Sequence, residues 1–483
     1  MKGERGGRLK AELVVVGGGP AGYTAAIRAS QRGASVTVLE NEKVGGACLH
    51  KGCIPTRVLL EGIRRKREID ESRIFGVLAS EVRFELATLK EHRDATIEYM
   101  YAGLKKLLRD YGIRVKKGTG KIIRPRSIRI EETGETIDAS AIILAVGAES
   151  RGITAPGAKA PYIMDSDQAL LLDRVPEKLV VVGAGYIGLE FAQIYAALGS
   201  QVSILEMRPQ IIPEEDLDIA EMLRSALQKQ MLDIHCNVVV EEFREKRNGV
   251  VVVYSENGKR KELSSQAVLL ATGRRSKTTH LGLDTIGIRI ENENILVDER
   301  METSIPGVFA AGDCIGGYML AHMAFREAEI AAINATGGES KMNPEIPVPR
   351  CLYTDPEVAC VGLTEFRARE LYGDEVRVGR YPLIRNGLAK AIGQKVGVAK
   401  VITLNYDIIL GIQLVGPRVT ENIGICVTAI NLEATTEDLA TFVFPHPTIS
   451  EIISEAAADA LGKCLSLPPK NIADHLATLS PNK

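Results

Sequence analysis

Two of the eight cysteines, Cys48 and Cys53, lie five positions apart in the segment GGACLHKGCIP. A disulfide between them needs Cα atoms within about 7 Å, which this spacing does not give on an ideal helix, so we expect a distorted first helical turn. A helix start also lowers the pKa of a thiol and favours its thiolate. The residues by themselves leave two possibilities, a pair that can form a disulfide and two unrelated buried cysteines.

A base for such chemistry is available in one histidine. Thiol-disulfide exchange needs a group that takes the proton of the attacking thiol, and imidazole titrates near neutral pH. Among the seven histidines, His446 stands before Pro447 and five positions ahead of Glu451, which is placed to orient an imidazole. We predict a Cys-His-Glu relay, and the alternative is a structural histidine.

The elements that must position these residues begin with residues 13–40, LVVVGGGPAGYTAAIRASQRGASVTVLE. They read as a strand, a glycine turn, a helix and a second strand. In such a module Gly17 allows the tight turn, Gly19 lets the backbone approach a pyrophosphate, and Gly22 permits close packing of helix and strand. Glu40, at the end of the second strand, would hold ribose hydroxyls. The segment predicts a dinucleotide site, and the alternative is a glycine-rich turn without a ligand.

A second module of the same kind occupies residues 179–206, LVVVGAGYIGLEFAQIYAALGSQVSILE. Its fingerprint residues are Gly183, Gly185, Gly188 and Glu206. An acid at the end of the second strand favours a free ribose 2'-hydroxyl and repels a 2'-phosphate, which indicates NAD(H) over NADP(H). Arg208 is a mild opposing signal, which we interpret as a solvated surface residue.

The whole-chain properties exclude several classes of protein. At 483 residues and 52.3 kDa the chain should form about two to four domains. A net charge of -2 and a pI near 6.5 give no case for nucleic acid or for anionic membrane. No signal peptide or membrane-spanning run is recognised, so we expect the cytoplasm. We predict no metal site, because the other cysteines stand singly without metal-binding spacing: Cys236, Cys314, Cys351, Cys360, Cys426 and Cys464.

Several motifs resemble those of one family along nearly the whole chain. Besides the paired modules and the cysteine segment, they are TSIPGVFAAGD at 303–313, YTDPEVACVG at 353–362 and HPTISE at 446–451. As a set, they resemble the flavoprotein disulfide reductases, and most closely the dihydrolipoamide dehydrogenases. The resemblance implies an α/β fold, with two Rossmann-like domains for FAD and NAD and an α+β C-terminal dimerisation domain.

The resemblance also implies domain boundaries and residue roles. The expected domains are an FAD domain at 1–150, an NAD domain at 151–274, a second FAD or central part at 275–347, and a dimerisation domain at 348–483. Cys53 would be the charge-transfer thiolate against the flavin, Cys48 the outer interchange thiol, and His446 the base reaching the site from the other subunit of a homodimer. Further cofactor-binding residues are expected at Gly120, Gly147, Gly273, Asp313 and Ala321.

The sequence departs from the family pattern near the expected flavin. Arg57 stands where the family usually has lysine, paired with an acid that matches Glu190; a planar guanidinium keeps the charge but changes the geometry. The other departures are Ala47 and Val146, where threonine is usual, and Phe444, which is often a second histidine.

The leading hypothesis is NAD-dependent oxidation of protein-bound dihydrolipoamide, through the Cys48-Cys53 disulfide and FAD. No lipoyl segment is recognised, so we expect the lipoyl carrier on a separate chain. The alternatives are an NADH-dependent reductase of another disulfide and a catalytically retired flavoprotein subunit.

Overall fold

The computed structural model describes residues 9–279 and 281–468. The outer ends of the predicted FAD and dimerisation domains, residues 1–8 and 469–483, lie outside the described residues. The fold is α/β, as predicted. We number helices and strands in chain order.

The N-terminal part carries the cysteines and the first module. Its elements are β1 Leu9–Val16, α1 Pro20–Gln31, β2 Val36–Glu40, α2 Gly46–Lys51, α3 Cys53–Asp70, α4 Leu86–Asp110, β3 Arg114–Lys117, β4 Gly120–Arg124, β5 Ser127–Ile130, β6 Thr136–Leu144 and β7 Ala148–Ser150. Strand β1 is flanked by β2 and β6 in parallel, and β3 extends the sheet beyond β2. The β-branched side chains of β1 are buried on both faces, which explains the apolar run VVV before the glycines.

The middle part carries the second module. Its elements are β8 Ile163–Met164, α5 Ser166–Leu171, β9 Lys178–Val182, α6 Tyr186–Ala197, β10 Gln201–Leu205, α7 Leu217–Lys229, β11 Asp233–His235, β12 Val238–Lys246, β13 Gly249–Glu256, β14 Lys259–Ser265, β15 Ala267–Leu270 and β16 Arg274–Ser276. Five parallel strands form a sheet in the order β11-β10-β9-β15-β8, and β12, β13 and β14 form a separate antiparallel sheet.

The chain then returns to the first sheet. The elements are α8 Leu283–Ile286, β17 Ile290–Glu291, β18 Asn294–Ile295, β19 Val308–Ala310 and α9 Ala321–Ala335. Strand β19 pairs with β6, which makes the first sheet seven-stranded, and α9 packs along α1. The contact face of α1 consists of alanines, including Ala25, Ala26 and Ala29, which let the two helices approach closely.

The C-terminal part is an antiparallel sheet with helices. Its elements are β20 Arg350–Leu352, β21 Glu357–Gly362, α10 Glu365–Tyr372, β22 Val376–Pro382, α11 Gly387–Ala391, β23 Val398–Leu404, β24 Ile408–Gly416, α12 Val419–Asn431, α13 Thr436–Thr441 and α14 Glu451–Ala460. The strand order is β20-β21-β24-β23-β22. Helix α14 packs on β22 and β23.

The cysteine-bearing helix α3 packs against both other parts of the chain. Its buried residues Leu59, Leu60 and Ile63 belong to one apolar cluster with the core of the second module and with Leu352 and Val358 of the C-terminal sheet. A separate polar cluster joins the middle part to the C-terminal part, because Lys400 on β23 is buried among the carboxylates of Asp216, Asp218 and Glu365. The position of α3 therefore depends on three parts of the chain at once.

The two glycine turns have no room for a side chain at matching positions. A Cβ added at Gly22 would lie 1.9 Å from the carbonyl oxygen of Gly17, and one at Gly188 would lie 2.0 Å from that of Gly183. Both turns also begin with a glycine of positive φ, +100° and +104° respectively. These contacts fix each helix against its own strand and explain the spacing of the fingerprint.

We predict that Gly22→Ala and Gly188→Ala each impair one of the two cofactor sites and leave the other intact. Each change should destabilise its own module by about 1–3 kcal/mol, because the backbone must move to admit the methyl group. Gly22→Ala should lose bound FAD. Gly188→Ala should retain FAD but bind NADH at least about tenfold more weakly, which corresponds to about 1.4 kcal/mol. Flavin absorbance, fluorescence titration with NADH and thermal unfolding measure these effects.

The matched control is Gly103→Ala in α4, where nothing lies within 4 Å of an added Cβ. Alanine is the better helix former by about 1 kcal/mol, so this change should be neutral or stabilising. Full FAD content and an unchanged melting temperature in Gly22→Ala would contradict the prediction.

Candidate active site

The cysteine segment packs directly on the first glycine turn. The backbone N–H of Gly45 donates to the carbonyl oxygen of Gly18 at 2.7 Å. A Cβ added at Gly46 would lie 2.6 Å from the Cα of Gly19, and both Gly45 and Gly46 have positive φ. Two glycines are therefore needed in front of Cys48, because the two backbones meet at this point.

The two cysteines lie on consecutive helices. Cys48 lies within α2, the chain leaves helical geometry at Gly52 with φ -148° and ψ -107°, and Cys53 is the first residue of α3. The carbonyl oxygen of Gly52 accepts from Thr56 N at 3.0 Å and from Thr56 Oγ1 at 2.7 Å. The distortion expected from the spacing is thus a break between two helices at Gly52.

The two thiols differ sharply in acidity. Both cysteines are free thiols, and Cys48 donates a hydrogen bond to the sulfur of Cys53. The pKa of Cys53 is lowered to about 7, mainly by this hydrogen bond and also by the charge of Arg57. The same hydrogen bond, together with burial, raises the pKa of Cys48. In the reduced pair, the thiolate is therefore stabilised on Cys53.

Arg57 and Glu190 are in contact beside the cysteines. Arg57 Nη2 donates to Glu190 Oε2 at 2.5 Å, and Glu190 is buried while Arg57 is half-buried. The pair joins α3 to α6 of the second module. Their contact was expected from the sequence; their role beside a flavin stays a prediction.

Two tyrosines at this site were missed by the sequence analysis. Tyr353 lies with its ring centroid 3.6 Å from Arg57 Cζ. Burial, together with the nearby Cys48 and Cys53, raises the pKa of Tyr23 to about 12. Tyr23 directly follows Gly22 in the first fingerprint, so its position offered a signal. Tyr353 is remote in sequence from Arg57, and no spacing rule connects the two.

His446 and Glu451 are joined at the start of α14. His446 Nδ1 lies 2.7 Å from Glu451 Oε1, and Glu451 Oε2 accepts from Thr448 N at 2.8 Å. The His446 side chain is 78% exposed, and Glu451 is its hydrogen-bond partner among the described residues. The carboxylate thus orients the imidazole and leaves Nε2 facing outward. No described contact joins His446 to either cysteine.

The glycine turns fit dinucleotides. Helices α1 and α6 each have twelve residues, begin after Gly19 and Gly185, and lack a side-chain cap. No heavy atom lies within 4 Å of a Cβ added at Gly185, and at Gly19 the nearest atom is 3.8 Å away. The helix N-termini therefore have amides available for a pyrophosphate, with open space above the glycines. Both turns therefore fit a dinucleotide such as FAD or NAD, and the assignment of FAD to the first turn and NAD to the second stays a prediction.

The acids that close the two modules make equivalent contacts. Glu40 accepts from Gly18 N and Glu42 N, both at 2.7 Å. Glu206 accepts from Ala184 N at 2.6 Å and from Arg208 N at 2.8 Å, and the Arg208 side chain is exposed. Each carboxylate is fixed over its glycine turn and retains lone pairs for ribose hydroxyls.

The other expected cofactor-binding residues lie in turns between elements or at the first residue of an element. Asp313 follows β19, and its N-terminal neighbour Gly312 donates its N–H to Glu327 at 2.7 Å. Burial raises the pKa of Asp313, opposed by Arg274, whose Nε lies 3.7 Å from Oδ2. The remaining positions are Gly120 at the start of β4, Gly147 after β6, Gly273 before β16 and Ala321 at the start of α9. Gly147 and Gly273 have positive φ and open space at Cβ.

The described residues contain neither a metal-binding cluster nor a membrane-spanning helix. Within residues 9–279 and 281–468, no group of three or more His, Cys, Asp or Glu residues could hold a metal ion. In the same part of the chain, no helix has the length and apolarity needed to cross a bilayer.

Two family models match the chain. Residues 11–328 match the pyridine nucleotide-disulphide oxidoreductase family, and residues 348–457 match the dimerisation domain of the same family. The second match supports a homodimer.

Curated relatives extend over most of the chain. It is 36% identical over 455 residues to a dihydrolipoyl dehydrogenase of Bacillus subtilis, covering 93% of this chain and 98% of that protein. It is 37% identical over 460 residues to the dihydrolipoyl dehydrogenase of Thermus scotoductus, covering 94% and 97% respectively.

Solved structures of a flavoprotein disulfide reductase have the same fold as this chain. The HOCl-induced flavoprotein disulfide reductase RclA from Escherichia coli has a TM-score of 0.83 at 28% identity, covering 92% of this chain and 99% of that chain. Its Cu(II) complex has a TM-score of 0.84 at 28% identity, covering 93% and 99%. The chain therefore belongs to the pyridine nucleotide-disulphide oxidoreductase family and is an FAD-dependent NAD(H) oxidoreductase.

Proposed function

We propose that this enzyme oxidises dihydrolipoamide, carried by a separate lipoyl protein, with NAD as the final acceptor. The observation that carries the proposal is the arrangement of the cysteine segment, which packs on the first glycine turn and places Cys48 on α2 and Cys53 at the start of α3. The charge of Arg57, one helical turn after Cys53, lowers the pKa of Cys53. The choice of substrate is supported by relatives named dihydrolipoyl dehydrogenase, which match 93% or more of the chain.

The acidity difference assigns a direction to the exchange. A substrate thiolate attacks the Cys48 sulfur of the Cys48-Cys53 disulfide, and Cys53 leaves as a thiolate, because the thiol of lower pKa is the better leaving group. The second substrate thiol then displaces Cys48, so the substrate becomes a disulfide and the enzyme a dithiol. FAD, which the first glycine turn would hold, would supply the two-electron acceptor for the dithiol and the hydride donor for NAD.

His446 and Glu451 are proposed to move the protons. The imidazole Nε2 takes the proton of the attacking substrate thiol, while Glu451 holds Nδ1 and stabilises the charged ring. The 78% exposure of His446 in its own chain supports a role in the partner's site. We propose that each site combines Cys48 and Cys53 of one chain with His446 and Glu451 of the other.

The proposed domain limits accompany this assignment: 1–150 and 275–347 for FAD, 151–274 for NAD, and 348–483 for dimerisation. The antiparallel pairing of β7 with β16, at the two points where the chain crosses between parts, supports the limits near 150 and 274. A cytoplasmic location is also part of the proposal.

A second candidate is an NADH-dependent reductase of another disulfide. It is favoured by the likeness to RclA, a flavoprotein disulfide reductase. It is also favoured by Phe444, which puts a half-buried ring two residues from His446, where the related dehydrogenases often have a second histidine.

Steady-state turnover should distinguish these functions. We expect dihydrolipoamide with NAD to give a kcat/KM at least about tenfold higher than NADH or NADPH with glutathione disulfide, cystine or a protein disulfide, equivalent to about 1.4 kcal/mol. We also expect at least about a tenfold preference for NAD over NADP, because Glu206 repels a 2'-phosphate. The inactive control is Cys48→Ser.

A higher kcat/KM with another disulfide would favour the second candidate. FAD-loaded protein without turnover on any substrate would indicate a retired flavoprotein.

Subunit complementation should reveal composite sites. Cys48→Ser and His446→Ala chains should each be inactive alone. After random exchange, half of the dimers are mixed and each has one intact site, so activity should return to about a quarter of wild type. The matched control mixes Cys48→Ser with Cys53→Ser, which cannot restore a site because both cysteines come from one chain. No recovery with His446→Ala, despite demonstrated exchange, would mean that cysteines and base belong to one chain.

A further inference from the structure

Tyr353, the first residue of the motif YTDPEVACVG, contacts both members of the Arg57-Glu190 pair. Its ring lies over the guanidinium, with Arg57 Cζ 3.6 Å from the ring centroid. Its backbone N–H donates to Glu190 Oε1 at 3.1 Å, while the other oxygen of the same carboxylate accepts from Arg57 at 2.5 Å. One residue of the C-terminal part thus holds the cation and the anion by different groups.

The guanidinium has few other constraints. Arg57 Nη1 is shielded from solvent and has no hydrogen-bond partner among the described residues. Its hydrogen bond to Glu190 through Nη2 fixes a distance but leaves the guanidinium plane free to turn about it. A ring stacked on the guanidinium face restricts that rotation, because the attraction of the cation to the aromatic face depends on this geometry.

The segment that carries Tyr353 is itself anchored to the same two helices. Asp355 receives a hydrogen bond from Arg67 on α3. Its backbone N–H donates to Gln193 on α6 at 2.9 Å, and its carbonyl oxygen accepts from Gln193 and from Gln230. The ring is therefore presented to Arg57 from a fixed backbone.

The charges that face Cys53 make the position of Arg57 important. Cys48 of α2 donates to the Cys53 sulfur, Arg57 of its own helix stabilises the thiolate, Glu190 of α6 opposes it, and Tyr23 of α1 lies close by. Arg57 and Glu190 act with opposite signs. If the guanidinium rotates away from Cys53, the Glu190 carboxylate becomes the stronger of the two charges, and the pKa of Cys53 rises.

We propose that Tyr353 is a positioning residue, which holds the Arg57 guanidinium towards Cys53 by stacking under it and by fixing Glu190 beside it. The inference deepens the proposed function, since it rests on Cys53 as the thiolate of the redox pair. It assigns to the YTDP motif a role in the cysteine site of its own chain.

The test measures the Cys53 thiolate directly. All variants are made in a Cys48→Ser background with FAD bound, so that the long-wavelength thiolate-to-flavin absorbance titrates one thiol. Tyr353→Leu should raise the apparent pKa of Cys53 by about half a pH unit or more, since a charge within about 4–6 Å changes a pKa by 1–3 units. Tyr353→Phe, which keeps the ring and the backbone N–H, is the matched control and should leave the pKa unchanged. Tyr353→Met replaces Tyr353→Leu if the leucine variant does not fold.

A double-mutant cycle with Arg57→Met separates positioning from a structural effect. In that background Tyr353→Leu should cause no further shift, because the group that the ring holds is gone. An unchanged pKa in both Tyr353→Leu and Tyr353→Met would overturn the proposal, as would a shift that persists in Arg57→Met. The titration uses no substrate. Its result therefore tests the role of Tyr353 separately from the turnover assay, which tests dihydrolipoamide as the substrate.

Discussion

The close approach of two backbones at Gly19 and Gly46 is the constraint on which the rest of the site depends. The cysteine segment begins where the dinucleotide turn ends, and the hydrogen bond from Gly45 to Gly18 fixes it there. The same glycine turn therefore has two faces, one open for a pyrophosphate and one in contact with the redox segment. A side chain at Gly46 would push the cysteine segment away from the first glycine turn.

Helix α3 connects the cysteine segment to the other parts of the chain by packing contacts. Its first residue is Cys53, its first turns carry Arg57, and its buried face joins an apolar cluster with the second module and the C-terminal sheet. The position of the Cys53 sulfur thus depends on packing contacts with two other parts of the chain. This arrangement explains why a charged pair is tolerated there: Glu190 is buried, but both of its oxygens accept hydrogen bonds.

The parts of the structure that follow from local rules were predictable from sequence. The glycine fingerprints gave both modules and the fold class, because a tight turn between strand and helix imposes glycine wherever it occurs. The contact of His446 with Glu451 follows from short spacing. The stacking of Tyr353 on Arg57 and the burial of Lys400 among carboxylates of other elements could not be predicted, because they join residues remote in sequence. The break at Gly52 was expected only as an unspecified distortion.

The pairing of β7 with β16 bears on how such a chain can be rearranged. Arg274 pairs with Ser150 across the two strands, so the chain leaves the first part and returns to it at neighbouring points about 5 Å apart. The residues between Ser150 and Arg274 therefore begin and end at adjacent points of the first part, although they form a large folded unit. A foreign nucleotide-binding module could be exchanged at this junction, or the ends joined by a short turn, without moving the strands that hold the first site.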